Sequence, residues 1–138
     1  MFFKNNKNNK DYNEDLGKVA ALLIHTAKID ENYSNQEENI IKQTLLKIGA
    51  NTENIEKIIL NGKSIEENSN QILEFTKEVK NMENDKKIII VETLWRIIYS
   101  NKVADIYETN LMRRLAGLLY IDSKIMGDIK EKIKNEKS

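Results

Sequence analysis

Not one proline interrupts the 138 residues of this chain, and its five glycines are widely spaced, so the backbone chemistry imposes no break on a succession of helices. Apolar residues recur every three or four positions rather than alternating, which is the period of an α-helix burying one face. An all-α fold follows. The length suits a single domain with one helical core and no need of disulfides or a structural metal. The spacing of caps and apolar stripes predicts about seven helices, with residues 1–13 a flexible N-terminal tail, 14–134 the helical domain and 135–138 a flexible C-terminal tail.

The first helix is expected from about Asp15 to Asp30, with Leu16, Val19, Ala20, Leu23, Ile24 and Ala27 facing inward. Ser34 caps the second, with Glu37 placed to reach back to the cap, and Ile40, Ile41, Thr44, Leu45 and Ile48 form its buried face. Gly49 suits the left-handed position that ends it. Asn51 or Thr52 opens a short third helix bearing Ile55, Ile58, Ile59 and Leu60, and the pair Asn61-Gly62 reads as its stop. Ser64 with Glu67 looks like another capping box, opening a fourth helix that carries Ile65, Ile72, Leu73, Phe75, Thr76 and Val79 to about Asn81.

From Asn84 or Asp85 a fifth helix contains the run IIIVETLWRIIY, apolar on most sides and so expected at the centre, with Trp95 as its anchor. Asp105 caps a sixth, Ile106 to Tyr120, with Tyr107, Leu111, Leu115, Leu118 and Leu119 inward. Asp122 caps a last helix that carries Ile125, Met126, Ile129 and Ile133.

Several functions are excluded by what is absent. There is no cysteine, which removes thiolate metal sites, disulfides and cysteine nucleophiles, and a single histidine is too few for the usual transition-metal site. Twenty-two basic and twenty-two acidic residues cancel, so no broad positive field exists to attract nucleic acid. No segment approaches the roughly 20 apolar residues of a membrane span, and the opening MFFKNNKNNK lacks the apolar core of a secretory signal. The expectation is a cytoplasmic protein without direct membrane insertion. No nucleophile elbow, phosphate loop, His-Glu helix or defensible carboxylate pair is present, so an enzyme is not expected.

One unit is written twice. AALLIHTAKIDENYSNQEENII and VETLWRIIYSNKVADIYETNLM each run from an apolar helix through a polar connection into a capped helix, about 71 residues apart. At that offset Glu37 falls on Glu108, Asn51 on Asp122, Ile24 on Trp95 and Ile41 on Met112. Few overlaid residues are identical, so the pseudo-repeat rests on the shared order of caps, stripes and loops.

The connection in the first unit gathers oxygen-bearing side chains, Asp30, Asn32, Ser34 and Glu37, which is the chemistry a hard cation such as calcium or magnesium requires. The second offers Asn101, Asp105 and Glu108. It is not an EF-hand, because Asn35 stands where the sixth-position glycine belongs and Ile41 where the bidentate glutamate belongs. The competing account is that Ser34 and Asp105 are helix caps with Glu37 and Glu108 as their capping-box partners. With so incomplete a ligand set, cation binding is expected to be weak.

His25 has no second histidine or cysteine to share a metal and is expected at the boundary of the apolar stripe. Glu92 lies too far along its helix from Asn101 to share an ion, and an ion pair with Arg113 or Arg114 is the expected use. Trp95, Tyr99, Tyr107 and Tyr120 read as core and boundary packing.

These segments resemble a known family. Ala27-Lys28-Ile29-Asp30-Glu31 followed by Ser34 and Glu37 is similar to the Ala-x-Ala-Asp-Gly, acid-or-serine, Glu pattern of the TerB-type tellurite-resistance family. Glu92 to Trp95, then Asp105, Glu108 and Arg113-Arg114-Leu-Ala-Gly-Leu-Leu, resembles that family's Glu-x-Leu-Trp segment and its Arg-Arg tail. The likeness runs from about Leu16 to Ile129. It implies a bundle of pseudo-repeated helices related to the amino-terminal domain of DjlA-type co-chaperones, and an acidic divalent-cation site. It also implies protein partners, among them membrane-associated proteins of a stress response. The alternative it leaves is an ion-independent interaction module. Two departures weaken the cation site: glycine of the Asp-Gly pair is Glu31 in one copy and Lys102 in the other, and the second aspartate is Asn101.

Overall fold

A computed structural model describes residues 2–28, 34–68, 73–100 and 106–136, with side chains over 15–28, 34–68, 75–100 and 109–136. Among the described residues there are seven helices and no strand: α1 (Phe2–Lys28), α2 (Asn35–Lys47), α3 (Ile55–Glu67), α4 (Leu73–Lys80), α5 (Asn84–Tyr99), α6 (Ile106–Leu118) and α7 (Ser123–Glu136). This is the all-α bundle the periodicity predicts.

α1 begins at Phe2, well ahead of Asp15, so the stretch read from composition as a tail is helical backbone. With no proline to stop it, a helix nucleated in the core extends outward at little cost per residue. Its expected stripe is buried throughout, and Ala21 and Leu22 on the opposite side are buried as well. α1 packs against α2, α3, α4 and α5, and α5 against α1, α2 and α7. The centre expected of α5 alone is therefore shared by two helices. Trp95 is buried, as its anchoring role requires, and it stacks on Tyr99 at 5.9 Å between ring centroids.

Asn61-Gly62 does not stop α3, and Ser64 does not open a new helix. α3 continues through both to Glu67, and the Ser64 carbonyl accepts the N–H of Asn68 within that same helix. The reason lies across the contact with α1. A Cβ at Gly62 would stand 2.6 Å from Ala20 Cβ and 3.2 Å from both the Ala21 nitrogen and the Gly17 oxygen. Gly62 is thus a point of close approach between two helix backbones rather than a terminator. Leu60 and Ile125, both expected in the core, are 65% and 46% exposed, since Ile58, Ile59, Met126 and Ile129 hold the inward phase of their helices. Tyr120, expected at the core or its boundary, is 73% exposed with the Lys80 ammonium 4.6 Å from its ring centre.

The corners that follow α2 and α6 are built alike. After α2, the Ala50 N–H bonds the Leu45 carbonyl across Gly49, whose φ is 134°, and after α6 the Ile121 N–H bonds the Ala116 carbonyl across Tyr120, whose φ is 57°. Both are the helix-ending arrangement with a positive-φ residue at the turn. Beyond each, a side-chain oxygen receives the N–H two residues on, Asn51 from Glu53 and Asp122 from Lys124. Asp122 therefore holds the start of α7 as read from the sequence, whereas Asn51 braces the turn before α3, whose N-cap position is Asn54 and not Asn51 or Thr52.

Candidate functional site

Of the seven candidate cation ligands, the structure places the side chains of two. Ser34 and Glu37 form the reciprocal box at the start of α2. The Glu37 N–H donates to Ser34 Oγ at 3.2 Å, and Glu37 Oε1 accepts the Ser34 N–H at 3.0 Å and the Ser34 hydroxyl at 3.1 Å. The carboxylate is only 3% exposed. Its Oε1 is committed to the cap, and it sits at the positive end of the α2 dipole, where a carboxylate is stabilised without any cation. Ser34 and Glu37 Oε1 thus serve as the reciprocal cap of α2. Asp30, Asn32, Asn101, Asp105 and the side chain of Glu108 lie outside the described residues. Among the described residues no group of three or more His, Asp or Glu side chains is placed to hold a metal ion.

Behind the box, α2 is fixed to the neighbouring helices by polar contacts. Thr44 and Thr93, both buried, share a hydroxyl hydrogen bond of 2.6 Å that joins α2 to α5. Glu38 pairs with Lys63 at 2.9 Å, and Lys42 pairs with Glu56 at 2.8 Å, tying α2 to α3. On α1, His25 takes the boundary position expected of it, with Nδ1 3.4 Å from Glu66 Oε2 and its ring tilted against Phe75. Lys28 bonds the other Glu66 oxygen at 2.8 Å. Burial alone would raise the Glu66 carboxyl, but the Lys28 ammonium and His25 outweigh it and hold the group below its ordinary value.

Glu92 does not pair with Arg113 or Arg114. Its Oε2 receives the Lys132 ammonium of α7 at 2.6 Å, and next to it Arg96 grips Glu136 through two bonds of 3.1 and 3.2 Å. α7, not α6, is the helix that lies along this face of α5.

That packing leaves a feature the sequence reading missed. α7 lies along α5 but touches α6 little, and between α6 and α7 runs a groove of about 230 Å³. Trp95, Met112, Met126, Arg113, Gly127 and Lys130 are among the residues lining it, and Trp95 and the two methionines are buried. The indole N–H lies 3.4 Å from the Met126 sulfur and the Lys130 ammonium 5.4 Å from the Trp95 ring centre.

No described helix is long and apolar enough to cross a membrane. The described residues thus form an all-α bundle with a reciprocal capping box at the start of α2. The family model for tellurite resistance protein TerB matches residues 17–131, most of the chain, and the chain belongs to that family. Comparison with curated proteins and with solved structures gave no match.

Proposed function

We propose that this chain is a non-enzymatic TerB-type module of a tellurite-resistance-type response to metal or oxyanion stress, and that it works by binding other proteins through a helical face. Membership of the family over residues 17–131 carries the proposal. Its chemistry supports it: no cysteine is present to reduce or ligate tellurium, so a contribution to resistance has to pass through contact with other molecules.

The second part of the proposal is weak binding of calcium or magnesium by the connection between α1 and α2. Asp30 and Asn32 would supply its oxygens there, with Asn101, Asp105 and Glu108 a poorer second copy. The bound ion would supply charge and cross-linking to the loop, with no step of a reaction. A specific observation favours the ion-independent alternative: the Ser34–Glu37 box closes on itself, leaving those two residues no need of an ion. Thermal unfolding separates the two. A ligand that prefers the native state raises its melting temperature, so millimolar calcium or magnesium should raise the midpoint and Asp30→Ala should abolish the rise. A midpoint unmoved by either ion leaves the ion-independent interaction module standing.

A further inference from the structure

We propose that the exposed apolar patch at the corner between α6 and α7 is the contact through which two copies of this chain associate about a two-fold axis. Self-association of this kind requires neither the cation site nor the partner proteins of the proposed function.

The large hydrophobic residues exposed among the described ones are Leu60, Ile88, Tyr120 and Ile125, and all but Leu60 line one depression of about 230 Å³, together with the partly buried Ile121. They come from α5, the corner and α7, so the patch is made by the fold and not by one helix. Apolar residues scattered singly over a surface are ordinary, and a cluster of them is not. The cluster is held rigid. Lys87, itself buried, reaches from α5 to the Leu119 carbonyl at 3.1 Å, the Ile121 N–H closes the corner on the Ala116 carbonyl, and the Met126 N–H bonds the Asp122 carbonyl. A surface fixed in place loses little freedom when it is covered.

Tyr120 stands apart by its backbone as well. Its φ of 57° is the only positive one among the described non-glycine residues, at the turn position that Gly49 occupies after α2. Glycine adopts that conformation freely and tyrosine does not, and a side chain left 73% exposed recovers little of the cost from the core. An aromatic ring held out in water on a strained backbone is suited to burial by another molecule.

Charge identifies that molecule. One cation and one anion border the patch, the Lys80 ammonium lying 4.6 Å from the Tyr120 ring centre and Asp122 standing in the lining. A border that carries both signs complements its own copy across a two-fold axis, where Lys80 of each chain can meet Asp122 of the other. A strongly acidic or basic partner, or an anionic membrane surface, would match only one of the two. Because 22 basic and 22 acidic residues cancel, two copies also approach without net repulsion. The patch is far smaller than the roughly 20–30 residues a side of a stable interface, so the dimer is weak and reversible.

Sedimentation equilibrium of the full chain should show monomer and dimer in exchange, with a midpoint between about 10 μM and about 1 mM. Tyr120→Gly should weaken the dimer about tenfold or more without lowering the melting temperature of the dilute chain, and Ile125→Ser should weaken it similarly. Leu60→Ser, outside the patch, should leave it unchanged. Lys80→Glu and Asp122→Lys, each verified as folded by circular dichroism, should each weaken self-association about tenfold or more, yet an equimolar mixture of the two should form a heterodimer, because the altered charges again face opposite signs. A chain that stays monomeric up to about 1 mM overturns the proposal. So does a dimer indifferent to Tyr120→Gly and Ile125→Ser, which would place the contact elsewhere. Charge variants that fail to associate with each other overturn the two-fold pairing of Lys80 with Asp122.

Discussion

Glu66 sits between Lys28 and His25 with most of its side chain covered, and its carboxyl is held below the ordinary value of about 4.5 despite the opposing effect of burial. Because the folded-state value is the lower one, the stabilisation is present above the unfolded value and is lost as pH falls through the folded one. Its partners are more than one-third exposed, so solvent screening keeps the contribution modest, on the order of 0.5–1 kcal/mol. Glu66→Gln should lower the melting temperature at pH 7, and the gap from the unaltered chain should narrow as pH falls below the ordinary carboxyl value. A gap that persists into acid would assign the loss to packing instead. Such networks are hard to read from sequence because the partners come from α1 and α3. Ser34 with Glu37 and Asp122 were legible because a cap is decided within three or four residues. Glu92 was not, since which helix faces it depends on the packing of α7 along α5.

Two glycines in helix interiors have opposite consequences. Alanine at Gly62 would drive a Cβ into Ala20 and into backbone atoms of α1, which cannot rotate away. Gly62→Ala should therefore destabilise by about 1–3 kcal/mol, even though alanine favours the helix by about 1 kcal/mol. At Gly127 the same substitution should only stabilise the free protein. Unfolding in urea at constant slope measures both, and a stabilised Gly62→Ala would refute close packing of α1 on α3. Helix existence was legible throughout from periodicity and from the absence of proline. The break expected at Asn61-Gly62 failed because local turn chemistry there is overruled by a tertiary contact. The same limit applies to Leu60 and Ile125, whose helical phase differs by one position from residues that are buried.

For the molecule as a whole, the fold class and the family were open to reading, because both depend on the order of elements over more than a hundred residues. A capping box and a cation loop call for the same residue types, and Ser34 and Glu37 are used as the box, while Asp30 and Asn32 lie outside the described residues. The groove between α6 and α7 could not be read from the sequence because a gap between helices is a property of packing. The central claim is that this TerB-family domain contributes to resistance by contact and not by chemistry. Survival of its host in tellurite, with the chain deleted and then restored, tests that most directly. The unaltered chain should restore tolerance. Full tolerance in the deleted strain would contradict the account.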